Sequence, residues 1–198
     1  MNFLQPAQAG TQLLSLIVFA TLAIWYVVPR LKPLRRADAL TVLLWIHVFR
    51  YVALQAFSAQ KAGFPISDGN LMEIVVGDGA GSVIAFATIV ALRYRARLAI
   101  PLAWLLVVET IIDTFLNIRG GIHENLMGAA NGVTWLILGF YVPLLMVSLA
   151  LIIWQLVARR GEAFDHSAEG SGASVDNSPN SAAKTFGSLS SMTEKGLK

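Results

Sequence analysis

Glu109 and Asp113 stand four residues apart inside LLVVETIIDTFLN, a stretch made otherwise almost entirely of apolar side chains. At that spacing two carboxylates share one face of an α-helix, about 6 Å apart along its axis. Thr110, Thr114 and Asn117 fall in the same arc, while Trp104, Leu105, Val108 and Ile112 lie mostly away from it. A second apolar stretch, ALTVLLWIHVFRYVALQAF, puts His47, Arg50, Tyr51 and Gln55 on one side. A third, LMEIVVGDGAGSVIAF, carries Glu73 and, on the flank of the same stripe, Asp78. Asn131, Thr134 and Trp135 open a further one. Acids, an imidazole and a guanidinium brought together can bind a cation, hydrogen-bond a polar ligand or move protons.

These side chains are costly where they stand. An ionised group at the centre of a membrane helix costs about 2.5–3.5 kcal/mol on insertion scales, and such residues are functional by default. Four acids, Glu73, Asp78, Glu109 and Asp113, against the single Arg50 leave a negative surplus that protons, a metal or a cationic ligand must neutralise. Three readings follow. The first is a binding protein whose intramembrane pocket, lined by His47, Arg50, Tyr51, Glu73, Asp78, Glu109, Asp113, Asn117, Asn131 and Trp135, takes a small molecule, a lipid head group or a cation. The second is an enzyme doing acid–base chemistry on a lipid or isoprenoid substrate, with Glu109 or Asp113 as the acid, His47 as its counterpart and Arg50 holding an anionic head. The third is a structural or assembly subunit in which Arg50 pairs with Glu109 or Asp113 and the network only fixes helix register.

The elements that must position these residues are membrane helices. Of 198 residues, 56% are hydrophobic and 14% charged, and the mean hydropathy is +0.63; an ordinary soluble domain is roughly 45–50% apolar and about 25% charged. Five stretches reach the ~20 residues that span a bilayer core: about 11–28, 39–57, 71–92, 98–118 and 132–157. The fold class expected is therefore all-α, a five-helix transmembrane bundle over residues 1–160. From Gly161 the chain turns Ser-, Gly- and Ala-rich, which predicts a disordered cytoplasmic tail over residues 161–198. His166 falls in that tail, where a solvated histidine is expected.

Nine Lys or Arg residues lie beside one set of span ends, and two, Lys61 and Arg119, beside the other. The orientation rule then puts the N-terminus outside and the C-terminus in the cytoplasm, in a cell or inner membrane. The net charge of +3 and pI near 9.4 are explained by this topology, so no nucleic-acid partner is expected. The N-terminal MNFLQPAQAG has no Lys or Arg, and the apolar run behind it is expected to remain as the first span rather than be removed as a signal peptide. That span has no ionisable residue and is placed at the periphery. Counted inward from the span ends, the polar residues fall in the outer half, and the inner halves are almost purely apolar. A pocket open to the outside and floored by hydrocarbon follows, with no path across.

Several chemistries are excluded or left without support. There is no cysteine, hence no disulfide or thiolate ligand. Every lysine lies outside the spans, which excludes a retinal Schiff base. Only His47 of the three histidines is placed in a span, so a bis-histidine haem has no second ligand. His47, Asp78, Glu109 and Asp113 are mixed N and O donors, but no H-x-x-x-H or H-E-x-x-H spacing assigns a metal, and no cofactor is assigned. GDGAG at Gly77–Gly81 lacks the preceding strand and following lysine of a phosphate loop; a G-x-x-x-G pair extended by Ala85 predicts close helix packing instead. His123, in GGIHENLMG, is expected in an outer loop above the pocket.

Overall fold

The structure, a computed structural model, describes residues 4–94, 96–130 and 132–160. Arg95, Asn131 and the tail from Gly161 onward, including His166, lie outside the described residues. Those described form an all-helical unit with five helices long and apolar enough to cross a membrane: α1 (Ala7–Leu31), α2 (Arg36–Lys61), α3 (Asp68–Arg93), α4 (Ala99–His123) and α5 (Gly132–Ala158). With no water in hydrocarbon to satisfy backbone groups, a continuous helix is the only local solution for such sequences. Large apolar side chains accordingly point outward, among them Trp25, Val83 and Phe115. The chain is a multi-pass membrane protein by length and composition of its helices, with charged residues buried among them.

Each helix runs past the apolar stretch that announces it. The largest difference is at α4, where the span is expected to end at residue 118 but the helix continues to His123 through Gly120 and Gly121. Gly120 explains the extension: a Cβ there would sit 2.2 Å from Asn70 Oδ1, so its absence lets α3 and α4 stay close to their ends. Asn125, in the left-handed region at φ 58°, then turns the chain away. At the start of α3, the Ser67 hydroxyl accepts from the Asn70 N–H at 3.3 Å as an N-cap.

Neighbouring helices pack in the order α1, α5, α2, α3, α4. Toward the arginine-rich ends, α2, α3, α4 and α5 close on a core that includes Leu40, Leu43, Leu44, Leu106, Ile152 and Leu156. Arg36 at the start of α2 donates to the Leu156 carbonyl at 3.0 Å, and Arg159 just past α5 donates to the Leu34 carbonyl at 2.7 Å. The first serves a carbonyl in the last turn of α5 that has no intrahelical donor, and the second ties the end of α5 to the α1–α2 loop. α1 is peripheral, only 6% of its apolar window being buried against 22–33% for the other four.

α1 and α5 each carry a proline and widen just before it. Ala23–Val27 precedes Pro29, and Ile137–Tyr141 precedes Pro143, each as a π-turn. In the second turn the Val142 N–H donates to Ile137 instead of Leu138. The next residue, Pro143, has no N–H to offer the Leu138 carbonyl. Gln12 of α1 supplies the donor, its Nε2 lying 3.0 Å from that oxygen. Phe19 meets Phe140 edge-on nearby, with centroids 4.7 Å apart.

Candidate functional site

Asp78 comes ten residues after the start of α3, and Asp113 ten residues before the end of α4. At about 1.5 Å per residue this places both about 15 Å below the helix ends that carry Lys61, Asp68 and His123. Arg50 reaches them from a stretch of α2, Phe49–Leu54, wound as a 3₁₀-helix. Tightening of this kind in mid-helix marks strain or function. Around the change of winding, the Ile46 carbonyl accepts the Tyr141 hydroxyl at 2.9 Å and the Val48 carbonyl accepts the Ser82 hydroxyl at 2.6 Å.

Arg50 is 1% exposed and makes four hydrogen bonds. Its Nε donates to Asp78 at 2.8 Å, Nη1 to Glu109 at 2.8 Å and to the Thr110 hydroxyl at 2.9 Å, and Nη2 to Asp113 at 2.5 Å. Thr110 in turn donates to Glu109 at 3.2 Å, and the Asn117 amide donates to Asp113 at 3.1 Å. A guanidinium has five N–H donors, so this one is nearly spent on its three carboxylates. The space it fills is made by the glycines of α3. A Cβ on Gly81 would lie 2.0 Å from Arg50 Nη1 and 2.9 Å from Glu109 Oε2, and one on Gly77 would lie 1.9 Å from Asp113 Oδ1. The G-x-x-x-G pair thus serves charged side chains, where the spacing predicts helix-to-helix approach.

His47 is wholly buried one turn before Arg50, and neither ring nitrogen has a hydrogen-bond partner. It stands beside the carboxylate group without joining it. Glu109 Oε1 is likewise buried and unpartnered.

A cavity of about 570 Å³ lies against the Arg50 group, with Asp78, Asp113, Thr110, Thr114 and Asn117 at its polar end. Its other walls are mainly aliphatic side chains of α1, α4 and α5. The loop end, where the sequence predicts a mouth, is partly covered. Ile66 and Leu126 line the cavity there and pack with Leu71 and Phe64 in a small apolar cluster. The large lining side chains that are also widely exposed are Leu13 of α1, Gln55 of α2, Ile118 and Ile122 of α4, and Val133 and Met146 of α5.

The remaining expected site residues stand apart. Tyr51 is half exposed beside Phe49, because a 3₁₀ stretch advances at about 3.0 residues per turn and carries it off the arc that a 3.6-residue period gives. Trp135 is exposed on α5. Glu73, also exposed, lines a separate polar recess with Arg119 and His123, the latter being the last residue of α4. At the rim of this recess the Ser67 N–H and hydroxyl both donate to Glu124, which holds that carboxyl below its ordinary value. Sequence reasoning missed Gln8 and Gln12, one turn apart on α1; Gln8 is buried and its amide has no partner. Their i, i+4 spacing in an otherwise apolar helix was the available signal. Tyr141 was missed as well: Pro143, two residues on, marks a break in the helix, but not the direction in which the π-turn aims this side chain.

Among the described residues, no three His, Asp or Glu side chains are grouped to hold a metal ion. No curated protein and no solved structure matches the chain. A family match covers residues 8–157, taking in most of α1 and nearly all of α5. The chain belongs to that family, described as a domain of unknown function (DUF8737).

Proposed function

We propose that this protein binds a small molecule within the membrane, in the cavity that ends on Asp78 and Asp113. The observation that carries the reading is the pairing of that cavity with an ion group of unequal charge. Three carboxylates bond one guanidinium, a formal surplus of two negative charges. Small-ligand sites are mostly apolar concavities of about 300–1,000 Å³ with a few convergent polar groups, and this cavity has that size and character. The surplus favours an occupant that brings a positive charge or hydrogen-bond donors. Arg50, its donors already engaged, has little left for an anion. Binding is favoured over acid–base catalysis because His47, the expected counterpart of the acids, has no hydrogen bond to any of them.

Native mass spectrometry of the full chain released from membranes tests the proposal. The wild type should carry a bound small molecule, and Asp78→Asn and Asp113→Asn should lose it while remaining folded. If either variant melts lower yet keeps the same bound mass, or the wild type carries none, the network only fixes helix packing. The loop end is proposed to face outside, from the nine basic residues against two. The chain contains no cysteine, so Ala62→Cys reports this directly. Labelling of intact cells by an impermeant maleimide is expected; labelling only after lysis would invert the topology.

A further inference from the structure

We propose that the occupant enters from the bilayer, between α4 and the α1–α5 pair, and that it is an amphiphile with one apolar chain and a protonated amine head docking on Asp78 and Asp113. This rests on the binding role proposed above and adds the route and the chemical class.

Three observations carry it. The route from the loop end is partly covered by the Ile66, Leu71 and Leu126 cluster, so a solute arriving from water meets packed apolar side chains. Of the exposed lining residues, Leu13, Ile118, Ile122, Val133 and Met146 are large, apolar and belong to spans, with Gln55 the polar one, so most of the open side of the cavity faces hydrocarbon. α4 and α1 are also the two ends of the packing order, so no helix seals the gap from outside. The chemistry of the walls then selects the occupant. An apolar chain matches the aliphatic lining, and the polar end offers acceptors on Asp78 and Asp113 next to a cation that three carboxylates already engage. A carboxylate or phosphate head would add negative charge beside that surplus; an ammonium head removes part of it. At about 570 Å³ the space is that of a small ligand and suits one chain better than two.

The test uses the full chain in nanodiscs with three probes: dodecylamine, dodecanoic acid and the water-confined cation ethylamine. Dodecylamine should bind saturably and raise the unfolding temperature. Dodecanoic acid should bind about tenfold to a hundredfold more weakly, the range expected for one charge-assisted hydrogen bond. Ethylamine should not compete at matched concentration. Asp113→Asn should abolish the preference for amine over acid, and Asp78→Asn provides the same measurement should the first variant fail to fold. Equal binding of amine and acid by the wild type, or competition by ethylamine, overturns the inference about the occupant; the binding role itself still stands if the native bound mass is present and lost in the aspartate variants.

Gly121→Phe addresses the route. Gly121 lines the cavity beside Ile118 and Ile122, and a Cβ there meets nothing within 4 Å, so the ring can be added without a clash at its base. Dodecylamine association should slow about tenfold, a barrier raised by about 1.4 kcal/mol, with the unfolding temperature of the empty protein unchanged. An unchanged association rate overturns entry between α4 and α1.

Discussion

The two halves of the bundle solve opposite problems with the same helices. Toward the arginine-rich ends, Leu40, Leu44, Ala85, Leu106, Ile152 and Leu156 are fully enclosed and meet across four spans. Toward the loop ends the same spans separate around a cavity and enclose Arg50 with three acids. Packing density in the first half holds the helices in place. The second half then keeps a void and a cluster of charges that would otherwise pull it apart or collapse it. The contrast separates the half whose packing is apolar and close from the half that holds buried charge beside a void.

The largest effect should come from removing the guanidinium. Arg50→Met leaves three carboxylates facing one another, and breaking a buried pair in this way costs about 3–5 kcal/mol. Denaturant unfolding in detergent should show that loss. Neutralising all three acids as amides in the same chain should recover most of it; no recovery would mean that Arg50 acts through packing alone, and the distinction between the halves would weaken.

Next come paired insertions. Ala85→Leu forces volume into a position with no exposed surface and should cost about 1–3 kcal/mol. Gly121→Leu on the cavity wall should stay within about 0.5 kcal/mol of the wild type by the same unfolding measurement. Equal costs would mean that the two halves are packed alike. Gln12→Ala removes the donor to Leu138 and should cost about 0.5–1.5 kcal/mol. The smallest effect belongs to the surface. Glu124 is held below its ordinary value by Ser67, so its contribution is present at neutral pH and is lost as pH falls through that lowered value. Ser67→Ala should therefore reduce the drop in unfolding temperature on acidification, and an unchanged drop would place the acid sensitivity elsewhere.

The helices were legible because the bilayer imposes both length and polarity on them, and five runs of suitable length leave little choice. The meeting of Arg50, Glu109 and Asp113 was legible for a related reason: an ionisable group in such a run must turn toward protein. What periodicity could not give was local winding. Tyr51 and Tyr141 take directions set by a 3₁₀ stretch and a π-turn, and neither follows a 3.6-residue count. The glycines of α3 were visible, but their purpose depended on which side chains lie opposite, a fact of tertiary structure alone. Exposed Glu73 shows the limit from the other side. Close to the end of a span an acid can reach water, so it carries no obligation to join the interior group.

Proline is usually counted as a fault in a helix, and at position 143 the fault is put to use. Because the ring has no hydrogen to give, one oxygen of α5 is left seeking a donor, and a glutamine on the least buried helix answers it. The outermost wall of the cavity is therefore latched at the point where its neighbour's own ladder lapses. The helix with the least buried surface is thus held to the bundle by a polar bond at mid-depth as well as by apolar contact.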